Sequence, residues 1–307
     1  MGMGDIMDKT DKIYNLAKIL ECDARKNEIM SKHTTFRIGG TTPVYIKISN
    51  LSRLSSILKE CRNSEVDYIL LGNGSNILVP DEGLNKPVLK LDGVFKQISL
   101  IDDTTIYCGA GATLAQLCKF ALKCGLSGLE FAWGIPGSVG GAVYMNAGAY
   151  GGEMKDVIHS VSHITKNGEI GRIEGDNLKL GYRTSVYREN GYIITGVTIK
   201  LTKAPVNDIQ AKMDDYLQRR TSKQPVEYPS AGSVFKRPEG NYAGALIEQC
   251  GLKGKSIGGA QVSEKHAGFI INRSNATAMD VKNLIAEIQD TVSKNTGYNL
   301  ECELIFL

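Results

Sequence analysis

Between Gly134 and Gly151 the chain carries six glycines in eighteen residues, and most of the other positions are small. A tight turn packed on another strand accounts for one or two of them, because glycine alone lacks the Cβ that a close backbone approach forbids. It does not account for six. If such a stretch were an ordinary buried loop, many backbone donors would be left unpaired, at a cost in free energy. A large planar, polar ligand lying against the backbone would satisfy them, and a flavin has that shape. Glycine is the compositional outlier, at 34 of 307 residues, and its blocks show no repeat, so each block has a local cause.

A second block, Gly72-Asn73-Gly74-Ser75-Asn76, follows the apolar strand expected at Tyr68 to Leu71, with a returning strand expected at Ile77 to Val79. Successive N–H groups beside Ser and Asn side chains form a concave nest that suits a pyrophosphate without lysine. The alternative is a simple hairpin turn, since Asn-Gly is a strong hairpin dipeptide. The third glycine of a dinucleotide fingerprint is replaced by Ile77 and no helix follows, which argues against a Rossmann fold. Gly254-Lys255-Ser256 resembles the end of a P-loop, but Gln249 stands where that motif needs glycine.

The remaining pattern is mixed. A helix is expected over Asp11 to Leu20, and Asn50 is placed to cap another running through Cys61. Val44 to Ile48 alternates like a strand. Short strands follow at Val88 to Leu91, Ile98 to Leu100 and Thr105 to Cys108, and Thr113 caps a helix closed by Gly125. Val157 to Thr165, Lys179 to Leu180 and Tyr192 to Leu201 read as strands, and Ala204-Pro205 as a boundary. Helices are then expected from about Val206 to Thr221, over Tyr242 to Cys250, and over Thr277 to Ser293 with a capping box at Thr277 and Asp280. Glu301 to Leu307 alternates as a last strand. Strands and helices do not alternate regularly, so the class is α+β.

Several functions are disfavoured. A formal charge of +3 is small, and the basic residues lack the interleaved aromatics that stack bases, so nucleic acid is not an expected partner. No apolar run approaches the ~20 residues needed to span a bilayer, and residues 1–12 have no apolar signal core. The seven cysteines include no CxxC pair and lie mostly in apolar stretches, which reads as buried free thiols in a reducing cytoplasm. His159 and His163 are four apart on a strand without a third ligand, so no metal is expected and surface or edge-strand histidines are the better reading.

Leu129-Glu130-Phe131-Ala132-Trp133-Gly134-Ile135-Pro136-Gly137-Ser138-Val139-Gly140-Gly141, with Thr35-Phe36-Arg37-Ile38-Gly39-Gly40 and the turn at 72–76, resembles the UDP-N-acetylenolpyruvoylglucosamine reductase family. The resemblance covers nearly the whole chain. It implies a two-part FAD-binding region of the vanillyl-alcohol oxidase (PCMH-type) superfamily: residues 1–90, joined by the terminal strand 301–307, and 91–203. A substrate domain, 204–300, is implied to follow. FAD is held non-covalently by Gly72, Asn73, Gly74, Ser75 and Asn76 and by Pro136, Gly137, Ser138, Gly140 and Gly141. NADPH is the implied reductant and a UDP-amino sugar carrying an enolpyruvyl ether the implied substrate, in peptidoglycan synthesis. A cytoplasmic monomer is expected.

The family's catalytic positions match Arg183 in Tyr182-Arg183-Thr184-Ser185, Ser233 in Ala231-Gly232-Ser233-Val234-Phe235-Lys236, and Glu303 in Leu300-Glu301-Cys302-Glu303. Lys223 matches a substrate lysine. The stretch after Tyr187 is short, leaving no counterpart of an aromatic clamp found in one branch, and Arg237 stands where that branch has Asn. Both departures point to the compact second branch, with Arg237 as a substrate contact. The implied reaction delivers a hydride to the terminal enolpyruvyl carbon and a proton to its neighbour. A guanidinium suits the enolate and carboxylate charge, although Arg183 also fits a structural ion pair. Ser233 is either the proton donor or a turn serine bonding its own backbone. Glu303 is either an intermediate-stabilising acid in an apolar pocket or a solvent-facing carboxylate. Two rivals stand beside this reading: an alcohol or sugar oxidase of the same flavin superfamily, and a nucleotide-binding protein without catalysis.

Overall fold

The computed structural model describes residues 3–307. The chain divides into two compact units, one made of the stretch up to Asn27 with Pro43–Asn73 and Lys86–Gln218, the other of Glu28–Thr42, Gly74–Asn85 and Arg219–Leu307.

In the first unit the parallel strands Thr41–Ile48, Val88–Leu91 and Ile69–Leu70 lie side by side, with Asp23–Ile29 at the edge next to Thr41–Ile48. Val44, Tyr45, Ile46 and Ile48 are all buried. The alternation expected for this strand gives way to burial of four of the five positions from Val44 to Ile48, interrupted only by Lys47, which pairs with Asp23, as suits a parallel strand covered on both faces. Helix Leu51–Asn63 packs Leu54, Ile57, Leu58 and Cys61 inward, and Asn50 caps it by accepting the Arg53 N–H at 2.9 Å. Helix Met3–Ile19 adds Ile13 and Ala17 to the same core.

The same unit carries a five-stranded antiparallel sheet in the order Ile170–Glu174, Ile158–Ile164, Ile193–Lys200, Thr105–Gly109, Ile98–Leu100. Helix Leu114–Lys123 opens on a full capping box, Thr113 with Gln116, and buries Leu114, Leu117, Cys118 and Ala121. Its hydroxyl and amide each satisfy an N–H that the first helical turn cannot pair internally.

The second unit is an antiparallel sheet, Ser230–Ser233, Phe269–Asn272, Ala260–Val262 and Ser256–Ile257, with helices Ala243–Gln249 and Ala278–Thr296. The long helix buries Val281, Leu284, Ile285, Ile288 and Val292 on one face and, with Phe36 and Ile38, forms a core of its own. Thr277 and Asp280 form the expected capping box. The Asp81 carboxylate accepts the Ala278 and Met279 N–H groups at 2.8 and 3.1 Å, placing negative charge on the helix N-terminus where the dipole favours it.

Four local expectations are corrected. Ile77–Leu78 is not the returning arm of a hairpin: it pairs in parallel with Ile305–Phe306, whereas Ile69–Leu70 pairs with Val88–Leu89. The terminal strand is therefore only two residues long, with Cys302 upstream bridged to Phe235. Lys179 takes a left-handed φ of 47°, which ends a 3-10 turn where a strand was expected. His163 is no surface residue. It is buried, its Nδ1 lies 3.0 Å from the Tyr187 hydroxyl, and its ring stacks on Tyr192. The hydroxyl is what makes burying a polar ring tolerable. His159 is exposed, 3.9 Å from Glu174.

All seven cysteines are free. Burial pushes the thiols of Cys61, Cys108 and Cys118 up to about 12, so they are poor nucleophiles at neutral pH. Among the described residues no cluster of His, Cys, Asp and Glu could hold a metal ion, and no helix is long and apolar enough to cross a membrane.

Candidate active site

The turn Gly72–Asn76 is built by two close approaches. A Cβ on Gly72 would sit 2.5 Å from Ser138 Oγ, and the Asn73 side chain donates to the Pro136 carbonyl at 3.2 Å. Gly74 has φ +63°, and its Cβ would fall 2.2 Å from the His33 carbonyl oxygen. Gly74 excludes a side chain by space and by backbone conformation, whereas a Cβ at Gly72 would require the Ser138 hydroxyl to move. Among the described residues no backbone N–H from Gly72 to Asn76 has a protein acceptor. Since neighbouring strands take other partners, the hairpin alternative fails. The nest remains.

The glycine block is more ordered than its composition predicts. Val139–Tyr144 is a short helix whose cap, Ser138, accepts the Gly141 N–H at 3.2 Å. The N–H groups of Val139 and Gly140 bond the carbonyls of Ala112 and Ala110, each at 2.8 Å. The block thus pairs most of its own donors, contrary to the expectation that a ligand must satisfy them. Glycine serves here chiefly to let the helix approach Ala110, whose Cβ is 2.9 Å from where a Gly140 Cβ would stand. The N–H groups of Gly137 and Ser138 are left without a protein acceptor among the described residues. Within the first unit, the unpaired donors of Gly72, Asn73, Gly137 and Ser138 fit an anionic, polar cofactor such as FAD.

Glu130 anchors the approach to this loop. Its carboxylate, 3% exposed, accepts the Ser127 hydroxyl at 2.6 Å and the Gly128 N–H at 3.0 Å, with Lys212 Nζ at 3.7 Å. Burial alone would raise its pKa, but these bonds and the Lys212 charge outweigh it and hold the carboxyl below its ordinary value. A depressed folded-state pKa adds stability above the unfolded value of about 4.3, and that stability is lost as pH falls through the folded value. Glu130→Gln is therefore expected to lower stability by ~1–3 kcal/mol at pH 7. In denaturant unfolding followed across pH, the gap between variant and parent should close below about pH 4. A gap that stays constant with pH would remove the charge from this explanation.

Arg183 sits at the third position of a four-residue turn. Gly181 and Thr184 exchange N–H···O=C bonds at 3.2 Å in each direction, and Arg183 has φ +55°. That conformation is uncommon for a residue with a Cβ and marks stored strain. The guanidinium lies 5.1 Å from the Tyr182 ring centroid. Beyond the turn, Tyr187 is fully buried, and its hydroxyl lies 3.3 Å from the Val161 carbonyl.

In the second unit, Ser233 ends a strand with a bulge at Ala231 and Gly232, where Gly232 has φ +78°. Its Cα partner is Phe269, and Val234 N–H bonds the Gly268 carbonyl at 2.9 Å. The Ser233 hydroxyl has no protein hydrogen-bond partner among the described residues, which disposes of the turn-serine alternative. The chain near the C-terminus lies alongside: Glu303 N–H donates to the Val234 carbonyl at 2.8 Å, and Asn76 Nδ2 to the Glu303 carbonyl at 3.2 Å. Ser233, Glu303 and the end of the 72–76 turn are thereby brought together. Glu303 is half-buried.

Lys223 is exposed at the end of helix Val206–Lys223, and among the described residues no hydrogen bond ties it to Ser233. The Arg237 guanidinium lies 4.0 Å from the Tyr242 ring centroid, and Tyr242 is itself 60% exposed. Tyr242 was not singled out from the sequence, nor was Asn146, whose side chain braces the Arg183 turn. For Asn146 a signal existed, since a lone Asn inside a glycine run favours a left-handed φ.

Comparison with known proteins supports the same identity. The C-terminal domain of UDP-N-acetylenolpyruvoylglucosamine reductase matches residues 224–307, and an FAD binding domain matches residues 42–174. The reductase of Syntrophomonas wolfei is 46% identical over 91% of this chain and 93% of its own. That of Clostridium perfringens is 47% identical over 92% and 93%. The crystal structure of the Thermus caldophilus reductase (MurB) superposes with a TM-score of 0.80 at 36% identity, covering 93% of this chain and 98% of that one. This chain therefore belongs to the UDP-N-acetylenolpyruvoylglucosamine reductase family.

Proposed function

We propose that the chain uses NADPH to reduce the enolpyruvyl ether of UDP-N-acetylglucosamine to the lactyl ether of UDP-N-acetylmuramate, in the cytoplasm, for peptidoglycan synthesis. The observation that carries the residue-level reading is the Glu303 N–H to Val234 carbonyl bond of 2.8 Å. It ties the segment bearing an acid to the strand bearing a hydroxyl that has no protein partner among the described residues. In this reading residues 1–90 and 91–203 serve the cofactor and 204–300 the sugar nucleotide.

Bound FAD would supply hydride transfer, from NADPH and then to the terminal enolpyruvyl carbon. The chain's own residues do the rest. Gly72, Asn73, Gly74, Ser75 and Asn76, with Gly137 and Ser138, hold the cofactor through backbone donors; Pro136, which has no N–H, shapes the loop and accepts the Asn73 amide, while Gly140 and Gly141 shape the helix behind them. Arg183 stabilises the negative charge that spreads over the enolate and its carboxylate, being planar and permanently charged. Ser233 Oγ gives its proton to the carbon next to the one that received hydride, completing reduction of the double bond. Lys223 supports the resulting alkoxide until water restores its proton, and Arg237 contacts the sugar nucleotide. Glu303 stabilises the intermediate.

Glu303→Gln is expected to retain FAD while losing turnover; a variant isolated without flavin would make Glu303 structural. The function itself is tested by NADPH consumption under anaerobic conditions. It should depend strictly on the UDP-sugar enolpyruvate and yield one lactyl ether per NADPH. Consumption that instead requires oxygen and ignores the sugar nucleotide would favour the oxidase rival, and no consumption under either condition a non-catalytic binding protein.

A further inference from the structure

We propose that Asn146 is a positioning residue for Arg183, tying the catalytic turn to the backbone that follows the cofactor-loop helix. The inference rests on the reading of Arg183 as the group that stabilises the enolate.

Asn146 is fully buried and has φ +42°, a conformation Asn tolerates better than most residues. Its three side-chain bonds reach two segments, residues 153–155 and Gly181. The amide oxygen accepts the Lys155 N–H at 2.9 Å, and the amide nitrogen donates to Glu153 Oε2 at 2.5 Å and to the Gly181 carbonyl at 3.0 Å. The orientation of the amide is fixed, because the Lys155 N–H can only donate and the Gly181 carbonyl can only accept. The Gly181 carbonyl thus receives two donors, the Asn146 amide and the Thr184 N–H that closes the turn. Immediately after the turn, Ser185 Oγ donates to the Tyr144 carbonyl at 2.8 Å. The turn is therefore held at both ends by residues 144 and 146, at and just beyond the C-terminal end of helix Val139–Tyr144.

This arrangement answers a physical need. Arg183 occupies a strained backbone conformation, which persists only where the surroundings over-determine it. A reacting group displaced by about 1 Å can lose ~10²-fold in rate. Asn146 does not itself touch the reacting atoms in this account. It acts by fixing where the Arg183 turn begins, while Ser185 fixes where it ends.

Asn146→Asp keeps the shape and the Lys155 contact but puts a carboxylate oxygen against the Gly181 carbonyl and Glu153. Ser185→Ala loosens the other end and serves if the first variant fails to fold. Both are measured anaerobically as FAD-loaded enzyme by rapid mixing, with Arg183→Ala and the Asn146→Asp, Arg183→Ala double variant alongside. Asn146→Asp is expected to keep its flavin content, visible spectrum and rate of flavin reduction by NADPH. Reoxidation by the sugar nucleotide should slow by ~10- to 100-fold, with Ser185→Ala moving in the same direction. In the Arg183→Ala background the Asn146 substitution should add nothing, because its effect runs through the missing guanidinium.

Equal slowing of both half-reactions, or loss of flavin, would make Asn146 a structural or cofactor residue and overturn the proposal. Full additivity in the double variant would overturn it as well. If Arg183→Ala alone leaves reoxidation unchanged, the underlying reading of Arg183 fails first. If Arg183→Ala is slow but Asn146→Asp and Ser185→Ala are not, only the positioning role fails.

Discussion

Ser233→Ala is expected to leave flavin reduction by NADPH at its parental rate and to slow reoxidation by the sugar nucleotide by at least ~10²-fold. The asymmetry follows from chemistry. Hydride arrival on the flavin needs no proton from serine, whereas the enolate carbon must be protonated before product can leave. A serine is a weak acid, but an enolate carbon is strongly basic, so a hydroxyl held in place suffices. Ser233 meets the structural condition: its hydroxyl has no protein hydrogen-bond partner among the described residues, on a strand fixed by the Phe269 pairing and by the bond from Glu303. Removing one oxygen from a half-buried position leaves these backbone bonds intact, so stability should barely change. Equal slowing of both half-reactions would assign Ser233 to binding and leave the proton source elsewhere.

Replacing Arg183 by Met should lower kcat by ~10²–10³-fold, the loss seen when a preorganised charge-stabilising group is removed. Arg183→Lys should recover only part of it, since an ammonium keeps the charge but not the planar two-pronged contact with a carboxylate. Because the carboxylate is present before reaction, KM should rise as well. The left-handed φ of Arg183 is strained for all three side chains alike, so backbone conformation does not confound the comparison. A variant with raised KM and unchanged kcat would restrict Arg183 to substrate binding.

Much of this was legible in the sequence wherever the determining interaction is local. The caps at Asn50, Thr113 and Thr277 are set by residues within three positions, and each helix formed where its cap predicted. The motifs around Ser233 and Arg183 were equally readable because each is contiguous. What the sequence hid depends on distant partners. Ile77–Leu78 was read as a hairpin arm because its true partner, Ile305–Phe306, lies at the other end of the chain. The helix Val139–Tyr144 looked like loop because glycine opposes helix. The Ser138 cap and the burial of Val139, Ala142 and Val143 outweigh that propensity. Asn146 and Gly181 are 35 positions apart, and no spacing rule connects them.

The most direct test is an anaerobic absorbance titration of the FAD-loaded protein, first with NADPH and then with UDP-N-acetylglucosamine enolpyruvate. Flavin absorbance is expected to bleach on the first addition and to return on the second, without oxygen. Bleached flavin that returns only on admitting air would contradict the proposed function.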